Sequence, residues 1–263
     1  MGLAVWAFVI EPARLTVDSQ TLSVKGWPLA LNGLRVVLAS DLHIGAPHIG
    51  ADKLPKLVAL INEQQPDLIL LAGDFVVGDE IGASQVAPET IAAGLRGLRA
   101  RLGVWAVLGN HDWWTDGPGM RKALENNGIK VLENSATRFT DKGEAFWLIG
   151  LGDHFTNHTD LKGALTQVTD DAPALALTHS PDVFPSLPDR ILLTFAGHTH
   201  GGQVWLPFLG RPVIPSAYGQ RYATGHIQEG ARHLFVTNGV GTSILPVRFL
   251  VPPEITVLTL ASE

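Results

Sequence analysis

The run RVVLASDLH at positions 35–43 decides the fold class of this chain. Its first part is apolar and rich in valine and leucine, which is typical of a strand that is covered on both faces of a sheet. Its last part places Asp41 and His43 just beyond that strand. These two residues lie two positions apart, so in an extended segment both side chains point the same way. The run therefore predicts a buried strand that ends in two metal-binding side chains.

The same arrangement recurs four more times along the chain. Apolar runs at 67–72, 104–108, 174–178 and 191–196 are each followed by residues that can bind metal, namely Asp74, Asn110, His179, His198 and His200. Ligands of open α/β sheets gather at the carboxyl ends of the strands. We therefore expect five strands to deliver these side chains to one crevice. Glycines at positions 73, 109 and 197 let the backbone turn sharply there.

Helical segments and further strands are predicted between and after these runs. Residues 52–64 and 88–101 have helical spacing, and residues 120–127, closed by Gly128, form a third helix candidate. Further strands are predicted at 129–132, 138–140 and 146–149. The tail from 232 to 260 predicts three more, broken at 239–242 and at Pro252-Pro253. The chain contains no repeat, low-complexity tract or linker. We therefore interpret residues 1–263 as one α/β domain, in which residues 1–33 form an N-terminal strand or extension.

The first ten residues are almost entirely apolar, and Glu11 and Pro12 end this run. It has about half of the roughly 20 residues that a membrane-spanning helix needs. It also lacks the basic region and the cleavage site of a signal peptide. A buried first strand or a surface-packed segment is the preferred interpretation. The alternative is the remnant of a membrane anchor, or a segment that docks on a membrane.

Composition permits a large core and excludes some classes of function. Of the 263 residues, 46% are hydrophobic and 17% are charged, which allows a sizeable core and argues against disorder. The formal net charge is -6 and lysine and arginine form no cluster, so specific nucleic-acid binding is not expected. The chain has no cysteine, which excludes disulfides, thiolate zinc sites and cysteine nucleophiles.

The candidate ligands favour transition metals. Imidazole and carboxylate side chains together suit Mn, Fe, Zn or Co better than Mg or Ca, which prefer oxygen ligands. Taken singly, each motif is weak, because a Gly-Asp pair is commonly a turn and His179 before Ser-Pro can cap a helix. The complete ordered set is far more specific. It supplies seven ligands and one spare histidine, His111, and a two-metal centre is a device for cleaving phosphate esters.

The ordered set Asp-x-His, Gly-Asp, Gly-Asn-His-Asp, His and Gly-His-x-His resembles the calcineurin-like metallophosphoesterase superfamily, from about residue 34 to the end. The runs at 201–207, 247–249 and 252–260 resemble a bacterial branch of YkuE- and YaeI-like phosphodiesterases. Members of that branch often carry a membrane or export segment ahead of the catalytic domain, of which this chain has at most a stub. The resemblance implies the metallo-dependent phosphatase fold, a four-layer α/β/β/α sandwich of two mixed sheets flanked by helices.

The resemblance also implies a site with two divalent transition-metal ions. One ion would be held by Asp41, His43, Asp74 and His200, and the other by Asp74, Asn110, His179 and His198, with Asp74 bridging. A hydroxide between the ions would attack phosphorus. His111 would act as the general acid, and Asp112 would pair with it and orient it.

Predictions about substrate contacts rest on fewer residues. Trp113 and Trp114 follow the motif directly, so cleft positions are expected, with Trp113 as a substrate-binding candidate. Arg248 is a candidate for binding a substrate phosphate, although a surface ion pair is the preferred interpretation. An apolar lip suited to a lipid or a nucleobase is one interpretation of Trp205, Leu206, Phe208 and Leu209, and ordinary packing is the preferred one.

The functional prediction is phosphodiester hydrolysis. The first alternative is pyrophosphohydrolysis of a nucleotide-linked lipid or sugar, and the second is a non-catalytic metal-binding scaffold. A metallo-β-lactamase-like enzyme is excluded, because its His-x-His motif comes first and not last. The expected partner is a small phosphate ester or a lipid-linked substrate. The expected location is cytoplasmic or peripheral to the inner membrane, with membrane association left open.

Overall fold

Two six-stranded sheets form the centre of the structure, a computed structural model in which residues 2–78 and 80–263 are described. The strands are β1 (Thr16–Val24), β2 (Leu34–Ala39), β3 (Leu68–Leu71), β4 (Val104–Ala106), β5 (Lys130–Val131), β6 (Ser135–Asp141), β7 (Glu144–Gly150), β8 (Ala174–Leu177), β9 (Ile191–Ala196), β10 (Gly225–Glu229), β11 (Arg232–Val236) and β12 (Glu254–Ser262). One sheet has the order β1-β12-β2-β3-β4-β5 and the other β10-β11-β9-β8-β7-β6. Both are mixed, since β12 is antiparallel to β2, and β6 and β10 are antiparallel to their neighbours.

Five α-helices accompany the described strands. They are α1 (Gly2–Val5), α2 (Leu54–Glu63), α3 (Pro88–Leu95), α4 (Asn110–Asn126) and α5 (Leu161–Leu165). The helix α1 continues as a π-helical turn at Trp6–Ile10 and a 3-10 turn at Glu11–Ala13. Further 3-10 turns lie at Leu29–Leu31, Ala51–Lys53, Pro181–Ser186, His200–Gly202 and Gly219–Tyr222.

Strand alternation explains the layering. In β2, Val36 and Leu38 point to one face of the sheet, and Val37 and Ala39 to the other. The first pair packs in a cluster with residues of the second sheet, such as Leu175. The second pair packs in a different cluster with side chains of α2, α3 and α4. The far face of the second sheet packs against α5 and the turn Pro181–Ser186. The predicted four-layer sandwich of two mixed sheets with helices outside is confirmed.

Of the two preferred interpretations of the N-terminal segment, the structure has the surface-packed segment and not the buried first strand. Residues 2–13 are helical, so the predicted buried first strand is wrong there, and the first strand is β1 at Thr16–Val24. The helical segment packs on the surface, where the carbonyl of Ala7 accepts a hydrogen bond from the Arg248 amide at 2.9 Å. Several of its apolar side chains stay in solvent, with Leu3 73% exposed. Among the described residues, every helix is too short or too polar to cross a bilayer.

Two further predictions about elements are corrected. The tail contains two strands, β11 and β12, and the predicted third strand between them is wrong. The backbone there turns irregularly, with positive φ at Ile244 and Leu250, which breaks an extended ladder. The helix predicted at 120–127 begins ten residues earlier, at Asn110. Its two halves are separated by a break at Asp116, just before Pro118.

Candidate metal centre

The structure brings the seven predicted ligands together at the carboxyl ends of five strands. Within the first group, His200 Nε2 lies 3.1 Å from His43 Nε2 and 3.3 Å from Asp41 Oδ1. His43 Nε2 is also 3.6 Å from Asp74 Oδ2. These side chains are buried, and the ligand atoms of Asp41, His43 and His200 lie within 4.8 Å of one another. They therefore form a candidate site for one metal ion.

A second group shares Asp74 with the first. Asp74 Oδ2 lies 3.3 Å from His179 Nε2. That nitrogen is 3.1 Å from Asn110 Oδ1 and 3.1 Å from His198 Nδ1. The same carboxylate oxygen thus faces a histidine of each group. This is the arrangement that a bridging ligand requires.

The backbone around these residues is unusual. Asp41, His43, Asp74, His198 and His200 have positive φ, which residues other than glycine adopt rarely. Such conformations cost of order 1–3 kcal/mol each, and they persist only where the surroundings hold them. Gly73 and Gly109 permit the close approach of two loops, because a Cβ on Gly109 would lie 2.2 Å from Asp74 Oδ1. Backbone strain is thus concentrated at the candidate ligands.

Burial keeps most of the histidines in the neutral form that metal binding needs. It lowers the pKa of His43 to about 3 and that of His198 to about 4. Burial likewise places the pKa of His200 well below its usual value. It also raises the pKa of Asp41 to about 6. A cation between these groups would relieve the cost of burying the Asp41 carboxylate, and neutral imidazole is the ligating form.

Asp74 and His179 behave as an ion pair. Burial alone would raise the pKa of Asp74, but the contacts with His179, His111 and His43 outweigh it and hold that pKa well below its usual range. Burial alone would lower the pKa of His179, and the contact with Asp74 outweighs it in turn. A metal ion that binds His179 must therefore displace a proton.

The donor set fits transition-metal ions on structural grounds. Two pairs of ring nitrogens face each other at 3.1 Å inside a buried cluster of carboxylates, and a shared cation satisfies such lone pairs. The tautomer of His179 suits this role, because its Nδ1 lies 2.7 Å from the carbonyl of Ala72 and donates to it. That bond leaves Nε2 free to face the other ligands. Four imidazoles, two carboxylates and one amide match Mn, Fe, Zn or Co.

His111 lies beside the candidate ligands, and a ligand atom of His111 lies within 4.8 Å of those of His43 and Asp74. Its amide donates to Asp74 Oδ1 at 2.8 Å, and its ring meets the His43 ring edge-on at 4.7 Å between centroids. Glu80 Oε1 lies 4.0 Å from His111 Nδ1 and 3.8 Å from His43 Nδ1. Glu80 was not predicted from the sequence. The only signal was an acidic residue shortly after Gly73-Asp74, which is too common to be specific.

Asp112 does not orient His111, and this prediction is wrong. Its Oδ2 accepts hydrogen bonds from the amides of Asp74 and Gly109, each at 2.9 Å. Its Oδ1 accepts from the amides of Phe75 at 2.9 Å and Val76 at 3.2 Å. The carboxylate is therefore fully used in fixing the loop that carries Asp74 to the start of α4. The bond to the Gly109 amide is one half of a capping box.

The predictions for the two substrate-binding candidates, Trp113 and Arg248, are also wrong. Trp113 packs against the core and stacks on His158, with ring centroids 3.7 Å apart, and Trp114 takes the position on the cavity wall. Arg248 is fully buried, so neither a phosphate contact nor a surface ion pair applies. Its guanidinium donates to backbone carbonyls, among them Asn238 at 2.8 Å and Val251 at 3.2 Å.

Arg248 instead supports the loop at 238–241. Its Nε donates to the Gly241 carbonyl at 3.2 Å. The Gly241 amide in turn donates to the Asp41 carbonyl at 2.7 Å, and the Val240 amide donates to the Ser40 carbonyl at 3.0 Å. The buried guanidinium therefore acts on the first group of ligands through the backbone of this loop.

A cavity of about 490 Å³ opens beside the ligands. Its polar floor includes Asp74, Asn110, His111, His198 and His200. Its walls are mostly apolar and include Trp114, Phe155, Val204, Pro212, Val213, Pro215, Ile244, Leu245 and Val247. The predicted lip at 205–209 contributes none of the described lining residues, and Phe208 and Leu209 point into solvent. Ordinary packing is therefore wrong for these two side chains, which lie outside the cavity lining.

Comparison with known proteins identifies the family. The family model for calcineurin-like phosphoesterases matches residues 34–214. The chain belongs to the calcineurin-like phosphoesterase family. This calcineurin-like phosphoesterase is 33% identical over 260 residues to the uncharacterized metallophosphoesterase YkuE of Bacillus subtilis, a match that covers 98% of this chain and 89% of YkuE. It is 32% identical over 230 residues to the phosphodiesterase YaeI of Escherichia coli, covering 86% of this chain and 82% of YaeI.

A third relative is named for a different reaction. The UDP-2,3-diacylglucosamine pyrophosphatase LpxG of Chlamydia trachomatis is 28% identical over 308 residues, covering 95% of this chain and 91% of LpxG. The family and these relatives make this calcineurin-like phosphoesterase a metal-dependent phosphoric ester hydrolase of the YkuE- and YaeI-like branch. The predicted family, branch and enzyme class are confirmed.

Proposed function

We propose that this protein is a dinuclear metal-dependent phosphodiesterase. One observation carries the proposal: Asp74 Oδ2 lies 3.6 Å from His43 Nε2 and 3.3 Å from His179 Nε2, so a single carboxylate serves both candidate sites. Asp41, His43, Asp74 and His200 would hold one divalent ion. Asp74, Asn110, His179 and His198 would hold the other.

The chain's own residues would divide the remaining work. Bound divalent ions supply Lewis-acid polarisation of the phosphate and lower the pKa of a coordinated water. His111 lies on the cavity floor and would donate a proton to the leaving oxygen. Its backbone is fixed by the bond to Asp74 Oδ1 at 2.8 Å. Glu80 lies on the Nδ1 side of the His111 ring, so the other ring nitrogen is the one available to substrate.

The cavity lining favours a diester over a monoester. Among the described lining residues, none is lysine or arginine. A monoester phosphate carries a second negative charge near neutral pH, for which a cationic side chain would be the usual partner. A diester carries one negative charge and a second organic substituent. The apolar walls around Val213 and Leu245 can contact that substituent. The relative YaeI is named a phosphodiesterase, which agrees with this choice.

A pyrophosphate bond in a lipid-linked nucleotide is the second candidate substrate. The apolar walls of the cavity favour it, because they offer acyl chains a contact surface directly beside the ligands. LpxG is named for a substrate of this type. Hydrolysis of a pyrophosphate bond and of a phosphodiester would use the same metal ligands. The pyrophosphate carries a second negative charge, and its leaving phosphate needs less proton donation from His111 than a leaving alkoxide does.

A substrate panel with Mn²⁺-loaded protein tests the proposal. The panel holds bis(p-nitrophenyl) phosphate, p-nitrophenyl phosphate, cyclic nucleotides and a UDP-linked diacyl sugar. Variant Asp74→Asn is the matched control, because it is nearly isosteric and removes the shared carboxylate. We expect the diester to be hydrolysed with the higher kcat/KM and Asp74→Asn to abolish turnover. Monoester turnover that far exceeds diester turnover contradicts the proposal, and preference for the UDP-linked lipid selects the second candidate.

A further inference from the structure

Exposed apolar side chains gather on three segments that lie far apart in the sequence. The N-terminal helical segment exposes Leu3, Val5, Phe8, Val9 and Ile10. The hairpin and loop at 205–213 expose Phe208, Leu209 and Val213, with Phe208 entirely in solvent. The loop at 244–250 exposes Ile244, Leu245 and Leu250, with Ile244 70% exposed. We call these three segments, residues 2–10, 205–213 and 244–250, the apolar face.

Backbone contacts join the three segments into one surface. The loop at 244–250 lies between the other two. On one side, the Arg248 amide donates to the Ala7 carbonyl at 2.9 Å, and the Val251 amide donates to the Glu11 carboxylate at 2.8 Å. On the other side, the Trp205 amide donates to the Phe249 carbonyl at 2.9 Å. The three segments of the apolar face are therefore neighbours, with the loop at 244–250 in the middle.

The candidate metal cavity opens within this face. Val213, Ile244 and Leu245 are exposed members of the apolar face and also line the cavity. A molecule entering the cavity thus passes these apolar side chains first. Ile244 has a positive φ, which is rare for a β-branched residue. The loop that carries its side chain is therefore irregular.

The charge distribution of the apolar face indicates its partner. The chain has 25 acidic residues, yet residues 1–10, 190–228 and 230–253 contain none. Basic side chains border the face. Arg14 lies over the Trp6 ring at 5.2 Å, and Lys53 donates to the His48 carbonyl at 2.7 Å. Arg211 lies on the loop at 205–213, next to the cavity-lining Pro212. The three segments of the apolar face thus contain no acidic residue. The carboxylates of Glu11 and Glu80 lie beside it, but both are almost fully buried.

We propose that the apolar face docks on the surface of an anionic lipid bilayer, with the cavity opening towards the headgroups. Apolar side chains that insert at the headgroup boundary, together with basic side chains around them, are the features that hold interfacial proteins on anionic membranes. The purpose of docking rests on the proposed function. Docking extends that function by making the bilayer the source of the phosphate ester. The binding itself is measurable without any turnover.

Vesicle flotation tests the docking. The full chain is mixed with vesicles of phosphatidylcholine alone, or of phosphatidylcholine with phosphatidylglycerol, at low and high salt. Variant Phe8→Asp/Phe208→Asp removes two side chains of the apolar face that do not line the cavity. Variant Leu29→Asp is the matched control, because Leu29 is equally apolar and 76% exposed. It lies in the turn before β2, at the end of that strand opposite the ligands.

We expect the protein and Leu29→Asp to float with the anionic vesicles, less so at high salt. Loss of a buried phenylalanine contact weakens binding by about tenfold or more, so the double variant should remain unbound. Its hydrolysis of soluble bis(p-nitrophenyl) phosphate should equal that of the unmodified protein. Failure of the unmodified protein to float overturns docking, whatever its activity. A dimer by light scattering that the double variant abolishes, without flotation, also overturns it and assigns the face to self-association.

Discussion

Replacing Asp112 by asparagine separates a loop-fixing role from a role in proton transfer. Each carboxylate oxygen of Asp112 accepts two backbone amides: Oδ2 those of Asp74 and Gly109, and Oδ1 those of Phe75 and Val76. Asparagine keeps only one of these oxygens. In one orientation its NH2 group faces the amides of Asp74 and Gly109, and in the other those of Phe75 and Val76. Two hydrogen bonds are lost in either orientation.

Two opposing effects act on stability. A hydrogen bond to a charged group contributes about 1.5–3 kcal/mol, so two of them contribute about 3–6 kcal/mol. Against this, burial, followed by the nearby charge of Asp74, raises the pKa of Asp112 from 3.8 to about 7, although the bonds from the Gly109 and Val76 amides lower it. The ionised carboxylate therefore carries a net cost of burial that neutral asparagine avoids. We expect the free energy of unfolding at pH 7 to fall by less than the about 3–6 kcal/mol of the two lost bonds.

Metal binding should suffer more than stability. A displaced Asp74 amide moves the carboxylate that serves both candidate sites. Loss of such supporting contacts typically weakens metal binding by 10–100-fold. Titration of chelator-treated protein with Mn²⁺ by calorimetry measures this, beside chemical unfolding and the pH profile of kcat at saturating Mn²⁺. Unchanged Mn²⁺ affinity with a shifted pH profile of kcat would refute the loop-fixing role. It would instead support a role of Asp112 in orienting His111.

The raised pKa of Asp112 also predicts how the free energy of unfolding changes with pH. The folded pKa of Asp112 lies above the unfolded value of 3.8. Its contribution to stability is therefore fully present below pH 3.8 and is lost as the pH rises through about 7. Asparagine does not titrate. The stability of the metal-free protein relative to Asp112→Asn should accordingly increase as the pH falls from about 7 to about 4.

Three further predictions follow from the same contacts. Variant His111→Ala should lower kcat by about 10²–10⁴-fold while Mn²⁺ content and melting temperature stay unchanged, and a parallel loss of metal would contradict its role as proton donor. The contact with Asp74 keeps His179 protonated in the metal-free protein, so Mn²⁺ should bind with proton release. Mn²⁺ should therefore raise the melting temperature more at pH 8 than at pH 6. Calorimetry in buffers of different ionisation enthalpy detects the proton release. Variant Arg248→Met leaves several buried carbonyls without donors and should lower the free energy of unfolding by at least about 3 kcal/mol in urea titrations, whereas a change below 1 kcal/mol would exclude its role in supporting the loop.

The parts of the fold that could be predicted are those with a strong local pattern. The strands β2, β3, β8 and β9 are short continuous apolar runs, and the parallel-sheet rule places their following residues in one crevice. The strand β1 was predicted only as a strand or extension within residues 1–33, because Thr16–Val24 mixes polar and apolar residues at the edge of its sheet. It is paired to β12, more than 230 residues away, and no local pattern reports such a partner.

Glu80 and Arg248 could not be assigned for a related reason. Glu80 is placed near His43 and His111 by a loop without repeating pattern. Arg248 is placed by carbonyls of a loop several residues earlier, and nothing in the run Val-Arg-Phe distinguishes an arginine that binds backbone carbonyls from one that binds phosphate. Both positions depend on contacts between separate loops. Those contacts exist only after the two sheets have packed.

The errors around His111 have one physical cause, which is the start of α4. The sequence Gly117-Pro118-Gly119 hides the helical pattern of residues 110–116, so the helix was predicted to begin only at residue 120. In a helix that begins at Asn110, successive side chains point about 100° apart. Trp114 follows Asn110 by four positions and His111 by three, so it shares with them the face that lines the cavity.

The same register turns Asp112 and Trp113 away from the cavity. Asp112 occupies the third helical position, from which a carboxylate reaches back to the amide that precedes the helix. Trp113 faces His158 and the core. A helix start at Asn110 therefore predicts both the loop-fixing carboxylate and the tryptophan on the cavity wall. The chemistry of His111 then depends on residues outside its own motif, of which Glu80, 4.0 Å from its Nδ1, is the carboxylate that the structure supplies.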